Sequence, residues 1–193
     1  SISSTLKPPG WKETIALGAV FANRHDHIRC DGSIATTPAA GQVDPGDKAV
    51  SIRFSLPLDA SGWEVFADAD HSQLVPKESS AAFQGFGLSP LGNLPGALSR
   101  APLFVIADSK KGGGLLAAFP MENTVWVNRI VYNAATRSVD IEFDFGLTAQ
   151  SAHFPAMATF SFLLAWVPAA AEPFRAALQR FHDIHPQKFA IEN

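Results

Sequence analysis

Two segments of this chain alternate with a period of two. In Ala49-Val50-Ser51-Ile52-Arg53-Phe54-Ser55-Leu56, the apolar Val50, Ile52, Phe54 and Leu56 are separated by Ser51, Arg53 and Ser55. In Val139-Asp140-Ile141-Glu142-Phe143-Asp144-Phe145, an acid stands at every second place. Successive side chains of a strand point to opposite faces, so each segment reads as a half-buried strand with its apolar side inward. Pro57 ends the first strand or confines it to a sheet edge, because proline donates nothing to a ladder. Residues 14–21, 62–66, 125–132 and 159–167 read as further strands, the last apolar enough to be central. Residues 103–107 and 114–119 bracket a Lys- and Gly-rich tip and read as a hairpin.

Beyond Glu172-Pro173 the period changes. Phe174, Leu178, Phe181 and Ile184 follow helical spacing, with Arg175, Gln179, Arg180 and Asp183 facing away. Pro173 suits a first helical turn and Pro186 stops the helix. The expected fold is mostly β: one antiparallel two-sheet β-sandwich domain over residues 1–193, with a C-terminal amphipathic α-helix at 173–185 packed on it. The strand spacing does not separate an immunoglobulin-like sandwich from a larger supersandwich. Residues 1–12 read as an extended lead-in or turn, and 36–48 as a loop turning at Asp44-Pro45-Gly46-Asp47. Residues 76–102, with four prolines and four glycines, predict a long irregular excursion.

Composition excludes more than it assigns. A net charge of −3 offers no basic field for nucleic acid. The short basic runs Lys110-Lys111 and Arg24 to Arg29 read as solvated loops. No apolar run approaches the roughly 18 residues of a membrane span, so no membrane partner is expected. A single cysteine, Cys30, excludes an intrachain disulfide and reads as a small buried hydrophobe. The chain opens at Ser1 without a charged-then-apolar leader, which reads as a trimmed or mature piece of a larger protein.

Several stretches resemble a known family. They are Gly114-Leu115-Leu116-Ala117-Ala118-Phe119-Pro120-Met121, Arg129-Ile130-Val131-Tyr132-Asn133, and Asp144-Phe145-Gly146-Leu147-Thr148. Phe154-Pro155, Ala158-Thr159-Phe160-Ser161-Phe162 and Phe174-Arg175-Ala176-Ala177-Leu178-Gln179-Arg180-Phe181 continue the pattern, and His185-Pro186-Gln187-Lys188-Phe189 looks like a lead into a following domain. Gly62-Trp63 with Asp68 and Ser72 adds a motif in the first half. Together they are similar to the N-terminal β-supersandwich, of the galactose-mutarotase-like kind, that precedes the catalytic barrel in bacterial glycoside-hydrolase-like proteins. Residues 13–48 and 76–102 have no counterpart. The resemblance implies a glycan context, a secreted or periplasmic location and a neighbouring catalytic domain in the same chain. It implies no hydrolysis by this piece, since the barrel and its acid pair are absent.

Flat rings beside polar groups are how binding modules hold sugars. Trp63 with Asp68 and Asp70, and Trp126 with Asn128 and Arg129, are therefore the candidate contacts for a polysaccharide or oligosaccharide. Trp166, inside an apolar strand, reads as core, and Trp11 as packing for the lead-in. His25 and His27 would face one side of a strand and could hold zinc or copper, with Asp31 or His71 as a third ligand. Asp59, Glu64, Asp68 and Asp70 are an oxygen-rich set for calcium, against a reading as solvated turns. No cofactor is otherwise implied. Glu142 and Asp144 form the neatest carboxylate pair for acid/base work, against a reading as solvent-facing acids of an alternating strand. No Gly-x-Ser-x-Gly elbow occurs, and Lys111-Gly112-Gly113-Gly114 lacks the rest of a phosphate loop. The leading expectation is a non-catalytic carbohydrate-binding or accessory domain. The alternatives are a metal-dependent or acid/base sugar-processing enzyme, and a structural or protein-binding module.

Overall fold

The computed structural model describes residues 1–37, 48–66, 68–84, 102–108, 113–120, 127–147 and 157–189. Within them the chain builds two antiparallel sheets and one helix, as the alternation and the late change of period predict. The eight-stranded sheet runs β1 (Ile2–Leu6), β2 (Thr14–Asn23), β3 (Ile28–Thr37), β12 (Met157–Val167), β9 (Gly114–Ala118), β8 (Leu103–Ala107), β5 (Glu64–Phe66) and β6 (Ser72–Leu74). The four-stranded sheet runs β4 (Lys48–Leu56), β11 (Ser138–Leu147), β10 (Val127–Asn133) and β7 (Ala81–Gln84). Helix α1 (Pro173–Ile184) follows β12, and a short 3-10 turn at Pro186–Lys188 ends it.

The predicted hairpin forms as β8 and β9, β12 is central, and β4 ends at Leu56 on a sheet edge. Two predictions of irregular chain are corrected. Residues 2–6 are strand β1, and residues 81–84, inside the expected excursion, are strand β7 on the edge of the small sheet. The Asp44-to-Asp47 turn, the Lys110-Lys111 tip and residues 85–101 lie outside the described residues.

The layers explain the two strand patterns. Val139, Ile141, Phe143 and Phe145 of β11 face the large sheet, where they meet Phe160 and Phe162 of β12. Phe54 and Phe119 join them, with ring centroids 5.0 Å apart for Phe54–Phe162 and 5.8 Å for Phe119–Phe143. Such tilted and edge-on pairs add to what burial alone contributes. On the opposite side of the large sheet, Leu103, Val105, Leu116, Leu163, Ala165 and Val167 form a second apolar face. Phe174, Ala177 and Phe181 of α1 cover it. Strands β8, β9 and β12 are thus apolar on both sides because a sheet covers one and a helix the other.

Candidate functional site

Two of the four tryptophans face the interior. Trp11 and Trp63 are half-buried against the inter-sheet core, and Trp126 lies outside the described residues. Trp166 is not core: it is 56% exposed. The period of two places it on the same face as Phe160, Phe162 and Leu164, the side turned toward the small sheet. Among the described residues that sheet has four strands, and β4 ends at Leu56, with Pro57 and Leu58 across from the indole. The sandwich gapes there.

The gap is a cleft of about 450 Å³. Its floor is the inner face of the large sheet, with Ile28, Leu164, Leu115 and Trp166 on neighbouring strands. Leu56, Pro57 and Leu58 form the opposite wall, and the β2–β3 turn, Asn23 to His27, forms a polar rim. The Gly113 backbone holds the indole in place. A Cβ on Gly113 would stand 2.9 Å from Cζ2 of Trp166, and its φ of +88° is one that side chains rarely adopt.

The rim is fixed from behind the sheet. The His27 Nδ1–H donates to Asp26 Oδ1 at 2.7 Å. Arg180 on α1 donates from Nη2 to the Asp26 carbonyl oxygen at 3.0 Å and stands 3.4 Å from its carboxylate. The hydrogen bond from His27 holds the Asp26 carboxyl below the usual range, with Arg180 helping against the opposing effect of burial. Arg24 and His25 are exposed, and their side chains make no hydrogen bond or ion pair among the described residues.

The two histidines therefore sit on a turn, not on a strand. The residues considered as a third metal ligand are engaged elsewhere: Asp31 pairs with Arg29 at 2.8 Å and His71 with Asp68 at 2.8 Å. Among the described residues, no three His, Cys, Asp or Glu side chains gather as a metal-binding set. Asp68 accepts the backbone N–H groups of Asp70 and His71. Those bonds, the backbone one to Asp70 first, hold its carboxyl below the usual range. Asp59 accepts from Ser61 and from the Tyr132 hydroxyl at 3.0 Å. Cys30 is fully buried, and desolvation pushes its thiol up to about 12, which suits a core residue and not a nucleophile.

Trp63, Asp68 and Asp70 flank β5 in the large sheet, whereas Asn128 and Arg129 belong to β10 of the small one. Asp70 borders a small pocket of about 130 Å³ shared with Pro173 and Arg175 at the start of α1. Asn128 is 1% exposed. Arg129 is held on the outer face of the small sheet, donating to Glu142 at 2.6 Å and pairing with Asp144.

Of the Glu142–Asp144 pair, only Asp144 reaches solvent, with its side chain 31% exposed. Glu142 is 4% exposed, and it also accepts from Arg53 at 2.6 Å. Asp144 accepts from Ser51 Oγ at 2.6 Å, and Asp140, 1% exposed, accepts from Ser138. Burial alone would lower the Arg129 guanidinium, but the charges and hydrogen bonds of Asp144 and Glu142 outweigh it and raise it. These carboxylates are tied into a charge ladder across β4, β11 and β10, an arrangement that leaves no free acid and base.

No family model matches the chain, and no curated protein matches it. Among solved structures, it is similar to the Slr1438 protein from Synechocystis sp. PCC 6803. The identity is 7% and the TM-score 0.37, over 87% of this chain and 66% of that one. The chain thus spans just under two thirds of that protein's length, and the likeness is too loose to carry an argument.

Proposed function

We propose that this chain is a non-catalytic β-sandwich domain of a glycan-active protein, and that it binds carbohydrate in the cleft floored by Trp166. One observation carries the reading: an indole left 56% exposed beside a polar turn, at the open end of an otherwise Phe-filled sandwich. A sugar ring offers an apolar C–H face and polar edges. The indole meets the face, while Asn23, Arg24 and His25 on the rim meet the edges. The sequence resemblance to accessory supersandwich domains supports the same glycan context, including the secreted or periplasmic setting and the catalytic neighbour. The acid/base alternative loses its best candidate pair to the charge ladder. Titration calorimetry of the chain against a polysaccharide panel tests the proposal. At least one polymer binds the native chain and fails to bind Trp166→Ala; no binding at all, or binding indifferent to Trp166, overturns it.

A second reading, a module that buttresses a neighbour, is favoured by one flank. At the edge of the large sheet, Ile2 and Leu6 of β1 remain exposed on its inner side, and Phe21 of β2 stays 40% exposed beside Phe54. Apolar surface of this kind marks contact sites. This reading predicts slower amide exchange in β1 and β2 when the domain is joined to the one it is encoded with; equal exchange removes it.

A further inference from the structure

We infer that the Trp166 cleft is built for an acidic glycan, one whose sugar units carry carboxylates. This rests on the carbohydrate reading above and names its ligand class. The charge of the cleft is the argument. Among the described residues four titratable ones line it: Arg24, His25, Asp26 and His27. The one carboxylate, Asp26, is already satisfied by His27 at 2.7 Å and Arg180 at 3.4 Å. The exposed guanidinium of Arg24 and the ring of His25 make no hydrogen bond or ion pair among the described residues. Asp108, on the neighbouring hairpin, does not line the cleft.

This balance differs from that of the whole chain, which carries a net charge of −3. A guanidinium fork beside an apolar floor presents two paired donors to a carboxylate whose ring rests on the indole. A neutral sugar would leave that fork without an acceptor of matching charge. The fixed rim supports the assignment: the Arg24 backbone N–H donates to the His27 carbonyl at 2.8 Å, so the turn that carries the guanidinium is closed before any ligand arrives.

The test uses polygalacturonate, alginate and hyaluronan, each beside its carboxyl-reduced neutral form, titrated against the intact chain by calorimetry. At least one acidic polymer binds, and reduction of its carboxylates weakens binding about tenfold. Arg24→Gln reproduces that loss on the acidic polymer and weakens the reduced one by clearly less. Lys7→Gln, which removes a positive charge beyond the opposite end of β2, changes neither. Trp166→Ala abolishes both. Equal affinity for a polymer and its reduced form, or an Arg24→Gln chain that binds like the native one, overturns the acidic assignment while the carbohydrate reading stands. Failure of every polymer to bind, or an acidic peptide bound in their place, overturns both.

Discussion

Phe160 and Trp166 sit six residues apart on the same face of the same strand, yet one is sealed and the other exposed. Phe160 lies under β11, against Phe143 and Phe145. Trp166 lies across the cleft from Leu56-Pro57-Leu58, where β4 ends. Strand hydrophobicity does not distinguish the two positions. What distinguishes them is the extent of the opposing layer, so the closed region carries stability and the open one is free to carry recognition.

That contrast can be broken or sharpened by substitution. Phe143→Ala strikes the centre of the closed region, where the ring meets Phe119, Phe160 and Phe162. It is expected to cost about 3–5 kcal/mol in urea unfolding. Gly32→Ala also falls in the closed region. Its Cβ would stand 2.7 Å from the Gly18 carbonyl oxygen and press on the Phe160 ring, costing roughly 1–3 kcal/mol in the same assay. Glu142→Gln weakens the ladder on the outer face, leaving Arg53 and Arg129 short of a charge. Both guanidinium groups reach solvent, so the expected loss is about 1–2 kcal/mol, with glycan affinity unchanged. Trp166→Ala reverses the pattern: stability moves by only about 0.5 kcal/mol while ligand binding disappears. A large stability loss there would show that the indole belongs to the core after all.

The rim itself responds to acid. The folded Asp26 carboxyl is held below its unfolded value, chiefly by the His27 hydrogen bond. Its stabilising effect is complete above the ordinary carboxylate range near about pH 4, and is lost as pH falls through the lower folded value. Amide exchange in the β2–β3 turn should therefore quicken on the acid side, and Asp26→Asn should remove the dependence.

Much of the scaffold was legible because burial on one side forces period two, and burial of a helix stripe forces 3.6. Val139 to Phe145 and Phe174 to Ile184 are the clearest cases. Strand β3 was hidden because Gly32 occupies an inward position where an apolar side chain would complete the alternation of Ile28, Cys30 and Ile34. The cross-strand Phe160 ring fills that space, and such rescue cannot be read from β3 alone. Strand β1 was hidden because an exposed edge imposes little pattern. The outward side of Asp140, Glu142 and Asp144 was readable, but the burial of Asp140 and Glu142 was not, since it depends on a register that sets Arg53 opposite Glu142 on one side and Arg129 opposite it on the other. Trp166 was misplaced for a similar reason: an apolar run reports a strand, not where the layer above it ends. Of the cleft, the sequence singled out His25 and His27 on the rim, as metal ligands, and ring stacking on tryptophan, assigned to Trp63 and Trp126.

The seating of Trp166 also gives the protein an optical reporter. An indole more than half in water emits to the red of the half-buried Trp11 and Trp63, and small quenchers can reach it. Any molecule that settles on its face shields it. Occupancy of the cleft would then be visible as a blue shift and a loss of acrylamide quenching, with no label attached.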